Sequence, residues 1–504
     1  MNAQQTFEKL CSHARETAIL DSINGLLGWD ERTKMPPGAG EYRAEQITYL
    51  AGQMHRRQTD PQLGEWLSEL AESDLASDPH SDEGATIRVM QREFEKRRKV
   101  PQQLVEELTR ASVLGQQKWV EARKDDNFKA FAPVLEKIYD LRRQEAHAVG
   151  FAEVPYDALL DDYEPGELTS NVARVLEGLR EDLVPLVTAI AESGNGPNRE
   201  LMHRHFPKEQ QIAFGTMAAE KIGFDFQRGR LDETHHPFCG GAGPHDVRIT
   251  TRYDESFFPS AFYSILHEAG HGIYEQGLRA DWFGLPPGSY NSLGIHESQS
   301  RMWENLVGRS RAFWQYFLPI AQEHFAEALG DVSLDDIHFA VNDVQASLIR
   351  VEADEATYNL HIIIRFELEQ ALINDELKVA DLPGAWNEKY QHYLGIRPPN
   401  DADGVLQDVH WSAALVGYFA TYSLGNLYAS QFFEQAAEDL GDLNEQFAQG
   451  EFEPLRSWLE QKIHRVGQCV PAPDLVQQVT GKPLSHAPLM RHLRGTLGSL
   501  YRID

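Results

Sequence analysis

In the stretch SFFPSAFYSILHEAGHGIYEQG, residues 256–277, two histidines stand four positions apart, and a glutamate directly follows the first. On a helix that spacing sets the side chains of His267 and His271 about 5–6 Å apart on one face, so both imidazoles can meet one cation. Glu268 falls one residue on, where a carboxylate can hold a water beside such a cation without ligating it. HExxH in this form is a signature of zinc hydrolases that cut peptides, with the glutamate as general base. Five residues alone recur too readily by chance to carry that reading.

Two further features strengthen it. The segment is apolar around the motif (Phe262, Ile265, Leu266, Ile273), and polar residues buried there without partners would be costly. LGIHESQSRMWENL, Leu293–Leu306, then offers Glu297 as a third ligand, 26 positions after His271 and far enough for the chain to turn and lay a second helix beside the first. Two neutral histidines, a carboxylate and a water make a four-coordinate catalytic zinc with one open position. Such an ion lowers the pKa of its water to about 7, and Glu268 would take the proton and later return it to the leaving amine. The tetrahedral oxyanion needs a further donor from elsewhere in the chain. The plainer reading of His296–Glu297 is a helix start with a charged first turn.

The elements that must position these residues read as helices almost throughout. Thr6–Asp30, Glu41–Arg57 and the densely apolar Leu360–Ile373 have helical character, the last as a buried helix with Arg365, Glu367 and Glu369 as polar interruptions. TKMPPGAG (Thr33–Gly40) is a turn. The best strand is DVRITTRYD (Asp246–Asp254), which alternates Val247, Ile249, Thr251 and Tyr253 with polar residues and ends just before the HEAGH helix. A mainly α protein follows, with a small strand element beside the motif.

Composition narrows the partners. The 504 residues carry 77 Asp+Glu against 47 Lys+Arg, a net charge of −30 that argues against nucleic acid, whose phosphates need a basic face. The basic run Arg92–Pro101 reads as a last helical turn before a proline. Cys11, Cys239 and Cys469 are odd in number and far apart, which fits a reducing compartment. With no apolar signal core and no long apolar run, a cytoplasmic protein without membrane spans is expected. His235, His236 and Cys239 lack a second close ligand pair, and His203 and His205 point to different helix faces, so neither group is read as a metal site.

HEAGH together with HESQSR (His296–Arg301), DVRIT (Asp246–Thr250), IRVEAD (Ile349–Asp354) and GVLQDVHW (Gly404–Trp411) resembles the carboxypeptidase Taq family of zinc metallocarboxypeptidases. The ordered match runs from WDERTKMPPGAGEYRAEQ (Trp29–Gln46) to GYFATYSLGNLYASQ (Gly417–Gln431). The resemblance implies a homodimeric helical enzyme with a two-walled groove similar to neurolysin and angiotensin-converting enzyme. Residues 1–504 would form a single metallopeptidase unit, with approximately 1–200 as an N-terminal helical wall and 201–504 as the zinc-bearing part. It implies removal of single C-terminal residues from peptides, broadly, with proline disfavoured. His267, His271 and Glu297 match the ligands of one Zn2+ per chain, for which Co2+ can substitute, and Glu268 matches the base. Arg350 is the candidate for the substrate carboxylate, since its fork can pair bidentately; the plainer reading pairs it with Glu352 or Asp354. His410 and Tyr422 resemble donors to the oxyanion and substrate backbone. Asp246 and Arg248 would limit the groove to a substrate's last residues, or simply staple the strand. The alternative function is a zinc oligopeptidase that cuts internally or releases dipeptides, using the same HExxH chemistry.

Overall fold

Apolar residues of the HEAGH segment return at helical spacing, and the segment forms one helix, Phe258–Gly277, in the computed structural model of the chain, which describes residues 2–503. Pro259 lies in its first turn, where the missing N–H costs nothing. Ala261, Phe262, Ile265, Leu266, Ala269 and Ile273 are buried along its length. Phe258 and Phe262 stack with centroids 5.1 Å apart, and Phe214 stacks on Phe262 at the same distance. Each such ring contributes about 1.5–3 kcal/mol by leaving water, so the start of the motif helix is firmly anchored.

A three-stranded sheet packs against this helix. Strands β1 (Gly229–Glu233), β2 (Cys239–Gly241) and β3 (Val247–Thr251) lie in the order β1-β3-β2, with β3 parallel to β1 and antiparallel to β2. The central strand is shorter than the alternating pattern Asp246–Asp254, because pairing with β1 ends at Thr251. Gly272 lets the sheet approach: a Cβ there would lie 2.5 Å from the Phe224 ring and 3.2 Å from Ile249.

The chain divides into two compact units, each assembled from three stretches. The first takes Met1–Arg98, Asn198–Val341 and Phe432–Gly481; the second takes Lys99–Pro197, Asn342–Gln431 and Lys482–Asp504. The chain passes between units near residue 200, and residues 1–98 belong to the same unit as the motif helix. Helical pattern reports local structure, and which helices cluster is set by non-local packing.

Within the first unit, the N-terminal helices run Ala3–Thr33 and Gly40–Gln58, joined by a short 3-10 turn at Pro37–Ala39 where the proline-glycine stretch stands. Phe7, Leu10 and Cys11 enter a core with Leu67, Leu70 and Leu285. Within the second unit, the helix Thr357–Ile373 is buried on nearly every side. Its polar interruptions are all partnered: Arg365 with Asp408, Glu367 with Arg180 and Lys389, and Glu369 with neutral donors. Among the described residues no helix is long and apolar enough to cross a membrane, and Cys11, Cys239 and Cys469 are unpaired thiols.

Candidate metal centre

Glu297 reaches the two histidines because a second helix, Leu293–Arg301, crosses the first at a glycine. A Cβ on Gly270 would lie 2.6 Å from the Gln299 carbonyl oxygen and 2.7 Å from the Ser300 Cα, so only glycine admits this approach. Ser292 caps the second helix, its hydroxyl accepting from the Ile295 amide. The candidate ligand atoms of His267, His271 and Glu297 all lie within 4.8 Å of one another. Glu297 Oε2 stands 3.7 Å from His267 Nε2 and 3.4 Å from His271 Nε2. Ligands bound at about 2.0–2.2 Å around a tetrahedral cation are separated by about 3.3 Å, so the donor set fits a divalent metal with little rearrangement.

A second layer holds each ligand in the state a metal requires. His267 Nδ1 donates to Glu304 Oε2 at 2.8 Å, and His271 Nδ1 donates to the His296 carbonyl at 3.1 Å. Both Nε2 lone pairs are thereby left to face Glu297. The His296 ring continues the chain, its Nδ1 2.6 Å from His271 Nδ1 and its Nε2 donating to Glu275 Oε1 at 2.8 Å. Arg301 Nε donates to Glu297 Oε1 at 2.7 Å, Ser300 Oγ to Glu297 Oε2 at 3.1 Å, and Arg301 Nη1 to Glu304 Oε2 at 3.3 Å. Beyond Arg301 the helix widens to a π-helix over Met302–Val307, and this segment carries Glu304.

The electrostatics separate the carboxylates. Burial raises Glu268 to about 7, with Glu297 and Glu304 adding to the push. Burial also works against ionised Glu297, but Arg301, His267 and His271 override it and hold that group well below the usual range. Glu304 is held at about 2 against burial by Arg301, His267 and Arg309. Burial, then the neighbouring His296, lowers His271 to about 3, so it is neutral and ready to ligate. Burial opposes protonation of His267, but the Glu297 and Glu304 carboxylates override it and raise its pKa, so that imidazole stands where a positive charge is favoured. A buried base near neutrality beside two imidazoles and an ionised carboxylate is suited to metal-assisted hydrolysis.

The remaining sequence candidates fall in two other places. Arg248 forms a bidentate pair with Asp246 at 2.8 and 2.9 Å and lies over the Trp29 ring, 4.3 Å from its centroid. This pair staples the head of β3. In the second unit Arg350, 5% exposed, pairs with Asp408 at 2.8 Å and donates to the Tyr358 hydroxyl at 3.0 Å. Glu352 and Asp354, the partners suggested by proximity in sequence, do not take it: Asp354 instead accepts from Ala356 and Thr357 at the start of the next helix. Arg365 also pairs with Asp408, at 2.6 Å. Burial opposes ionisation of Asp408, but Arg365 and Arg350 hold it far below the usual carboxylate range. His410 and Tyr422 meet at 3.2 Å, and burial lowers the imidazole to about 4. His235, His236, His203 and His205 are exposed and lie outside any such group.

Sequence reasoning missed Glu275, Glu304, Asp408 and Gly270. Glu275 follows His271 by four positions and Glu304 follows Glu297 by seven, so helical spacing placed both on the ligand faces. Asp408 stood inside GVLQDVHW, two positions before His410.

A family profile described as Carboxypeptidase Taq (M32) metallopeptidase matches residues 9–497. The thermostable carboxypeptidase 1 of Thermus thermophilus is 46% identical over 99% of this chain and 100% of its own. Carboxypeptidase 1 of Bacillus subtilis is 39% identical, covering 94% of this chain and 95% of its own. Among solved structures, the M32 carboxypeptidase from Deinococcus radiodurans R1 superposes with a TM-score of 0.95 at 41% identity, over 99% of this chain and 100% of that one. Matched over nearly its whole length by relatives that are covered just as fully, the chain belongs to the carboxypeptidase Taq (M32) family of metallopeptidases and is a metallocarboxypeptidase, a hydrolase of peptides.

Proposed function

We propose that the chain is a zinc-dependent carboxypeptidase that releases single C-terminal amino acids from peptides with broad specificity, disfavouring proline. The observation that carries the reading is the group of half-buried His267 and His271 with buried Glu297, beside which Glu268, next to His267 in the chain, is raised to about 7. The two histidines and Glu297 would hold Zn2+, and Co2+ suits the same nitrogen and oxygen donors. When bound, the metal supplies Lewis-acid polarisation of the scissile carbonyl and acidifies the attacking water.

This chain's own residues then do the proton work and the positioning. Glu268 takes the proton of the attacking water on its carboxylate and passes it to the nitrogen of the departing residue. Glu304 and His296 keep the protons on the Nδ1 atoms of the ligand histidines, so neither ring turns away. Arg350 is proposed to bind the substrate's C-terminal carboxylate. In support, Arg350 and Arg365 share the single carboxylate of Asp408, an ion-paired group with one positive charge in excess. His410 and Tyr422 are proposed as donors to the tetrahedral oxygen and the substrate backbone, supported by their mutual hydrogen bond and by the burial that lowers the His410 imidazole to about 4. Asp246 and Arg248 are proposed to bound the substrate's last residues from the edge of β3. The family resemblance further supports a homodimer working in the cytoplasm.

The test is a timed mass-spectrometric digest of one peptide and its C-terminal amide, with and without a chelator. A ladder losing one residue at a time, absent for the amide and abolished by the chelator, is expected. Internal fragments or released dipeptides from both substrates would favour the oligopeptidase reading instead.

A further inference from the structure

The chain segment that carries His410 is gripped from both sides by one helix. On Thr357–Ile373, Arg365 and Glu369 stand one turn apart and both are fully buried. Arg365 reaches the segment before His410, with Nε donating to Asp408 Oδ2 at 2.7 Å and Nη2 to Gln407 Oε1 at 2.8 Å. Glu369 reaches the segment after it. Its Oε1 accepts from Trp411 Nε1 at 2.7 Å, and its Oε2 from the Gly417 amide at 3.1 Å and the Tyr156 hydroxyl at 2.6 Å.

All three donors to Glu369 are neutral, so the carboxylate is buried on hydrogen bonds alone, an arrangement that costs free energy relative to an apolar side chain of the same volume. What it holds is a strained turn. Ala414 has φ of 58°, and Gly417 has φ of 93° with its backbone pressed so closely onto the Pro155–Leu160 helix that a Cβ would lie 2.7 Å from the Leu159 carbonyl. Trp411 is the residue directly after His410, and Gly417 leads into the Ala420–Leu440 helix that carries Tyr422. The turn between the two proposed donors is therefore tied at both of its ends to one carboxylate, which is itself tied to Tyr156.

We infer that Glu369 is a positioning residue of the proposed reaction, fixing the Trp411–Gly417 turn so that the His410 imidazole and the Tyr422 hydroxyl keep their 3.2 Å contact. The inference rests on the reading of His410 and Tyr422 as donors to the substrate. Glu369 acts through them and touches no reacting atom. Misplacing a donor by about 1 Å costs about 100-fold in rate, and that sets the size of the effect.

The experiment is a double-mutant cycle in kcat and KM with the metal-loaded enzyme: wild type, Glu369→Gln, His410→Ala and the pair. Glu369→Gln should lower kcat about 10- to 100-fold, with KM and bound metal nearly unchanged. In the His410→Ala background the same substitution should remove less than in wild type, because one of the two groups it acts through is already absent. Additive losses would overturn the inference and leave Glu369 a residue of general stability. A His410→Ala enzyme as active as wild type would sink the reading of His410 and the inference with it. A crippled His410→Ala beside an unimpaired Glu369→Gln would sink the inference alone. If Glu369→Gln does not fold, Tyr156→Phe removes one donor while keeping the packing. Its loss should be smaller and equally non-additive, and no loss or an additive one would overturn the inference.

Discussion

Glu268 and Glu297 occupy one buried centre and are driven apart in acidity, the first toward neutrality by burial, the second far down by Arg301 and the two histidines. That divergence supports the proposed division of proton transfer and ligation between them. Glu268→Gln should keep its metal and lose about 10²- to 10⁴-fold in kcat; metal content by mass spectrometry beside turnover checks this, and retained turnover removes Glu268 as the base. Glu297→Ala should fail to hold metal through dialysis, and Glu304→Gln should weaken metal affinity about 10- to 100-fold. Unchanged affinity in the latter would show that the His267–Glu304 bond orients nothing of consequence. Glu369 supplies a pH test. Burial raises it to about 7 against hydrogen bonds from Tyr156, Trp411 and Gly417, with Tyr139 and Arg365 also facing it. A carboxyl whose folded pKa is raised binds its proton more tightly when folded, so stability falls as pH rises from about 4.5 to about 7. Wild type should lose about 3 kcal/mol relative to Glu369→Gln across that window, read from denaturant melts at each pH; a constant difference contradicts it. His267, Glu268 and His271 were legible as a group because their spacing is local, while Glu297, 26 positions on, was offered by a second motif. Glu304 and Glu275 lay at helical spacing too, but a sequence does not say which acids on a face turn inward.

At the scale of elements, the centre exists because two helices touch at Gly270. Gly270→Ala places a methyl against the Gln299 carbonyl and must push the Leu293–Arg301 helix away, an overpacking cost of about 1–3 kcal/mol. We expect a lower melting temperature together with weaker metal retention, since Glu297 rides on the displaced helix; a stable variant with full metal would show that the crossing is compliant. The helices, the Thr33–Gly40 turn and the central strand were readable from period and turn chemistry. The parallel partner β1 was not, because GRLDE has too few apolar residues to alternate, and its pairing is made by β3. The π-helix over Met302–Val307 left no pattern in the sequence either.

On the scale of the whole molecule, the net charge of −30 sets a long-range field. Cationic peptides should be cleaved with kcat/KM that falls as salt rises from about 0.01 to 0.15 M, while acidic peptides show the reverse. Equal slopes for both would mean the charge is remote from the path of approach. Net charge could be read from composition, but the division of the chain could not. Each unit interleaves stretches separated by 50 to 144 residues of the other, and no local signal records that.

That interleaving bears on how the protein is made. The stretch Phe432–Gly481 supplies His464, whose Nε2 contacts Gln299 beside the candidate ligand Glu297, and Lys482–Asp504 supplies Tyr501, whose hydroxyl receives the Val344 amide. A ribosome moving from the N-terminus delivers both metal-binding helices long before either stretch emerges. Neither unit has all of its chain until its last stretch, Phe432–Gly481 or Lys482–Asp504, has been made, so the last steps of folding, and the maturation of the metal centre with them, come well after both of those helices have left the ribosome.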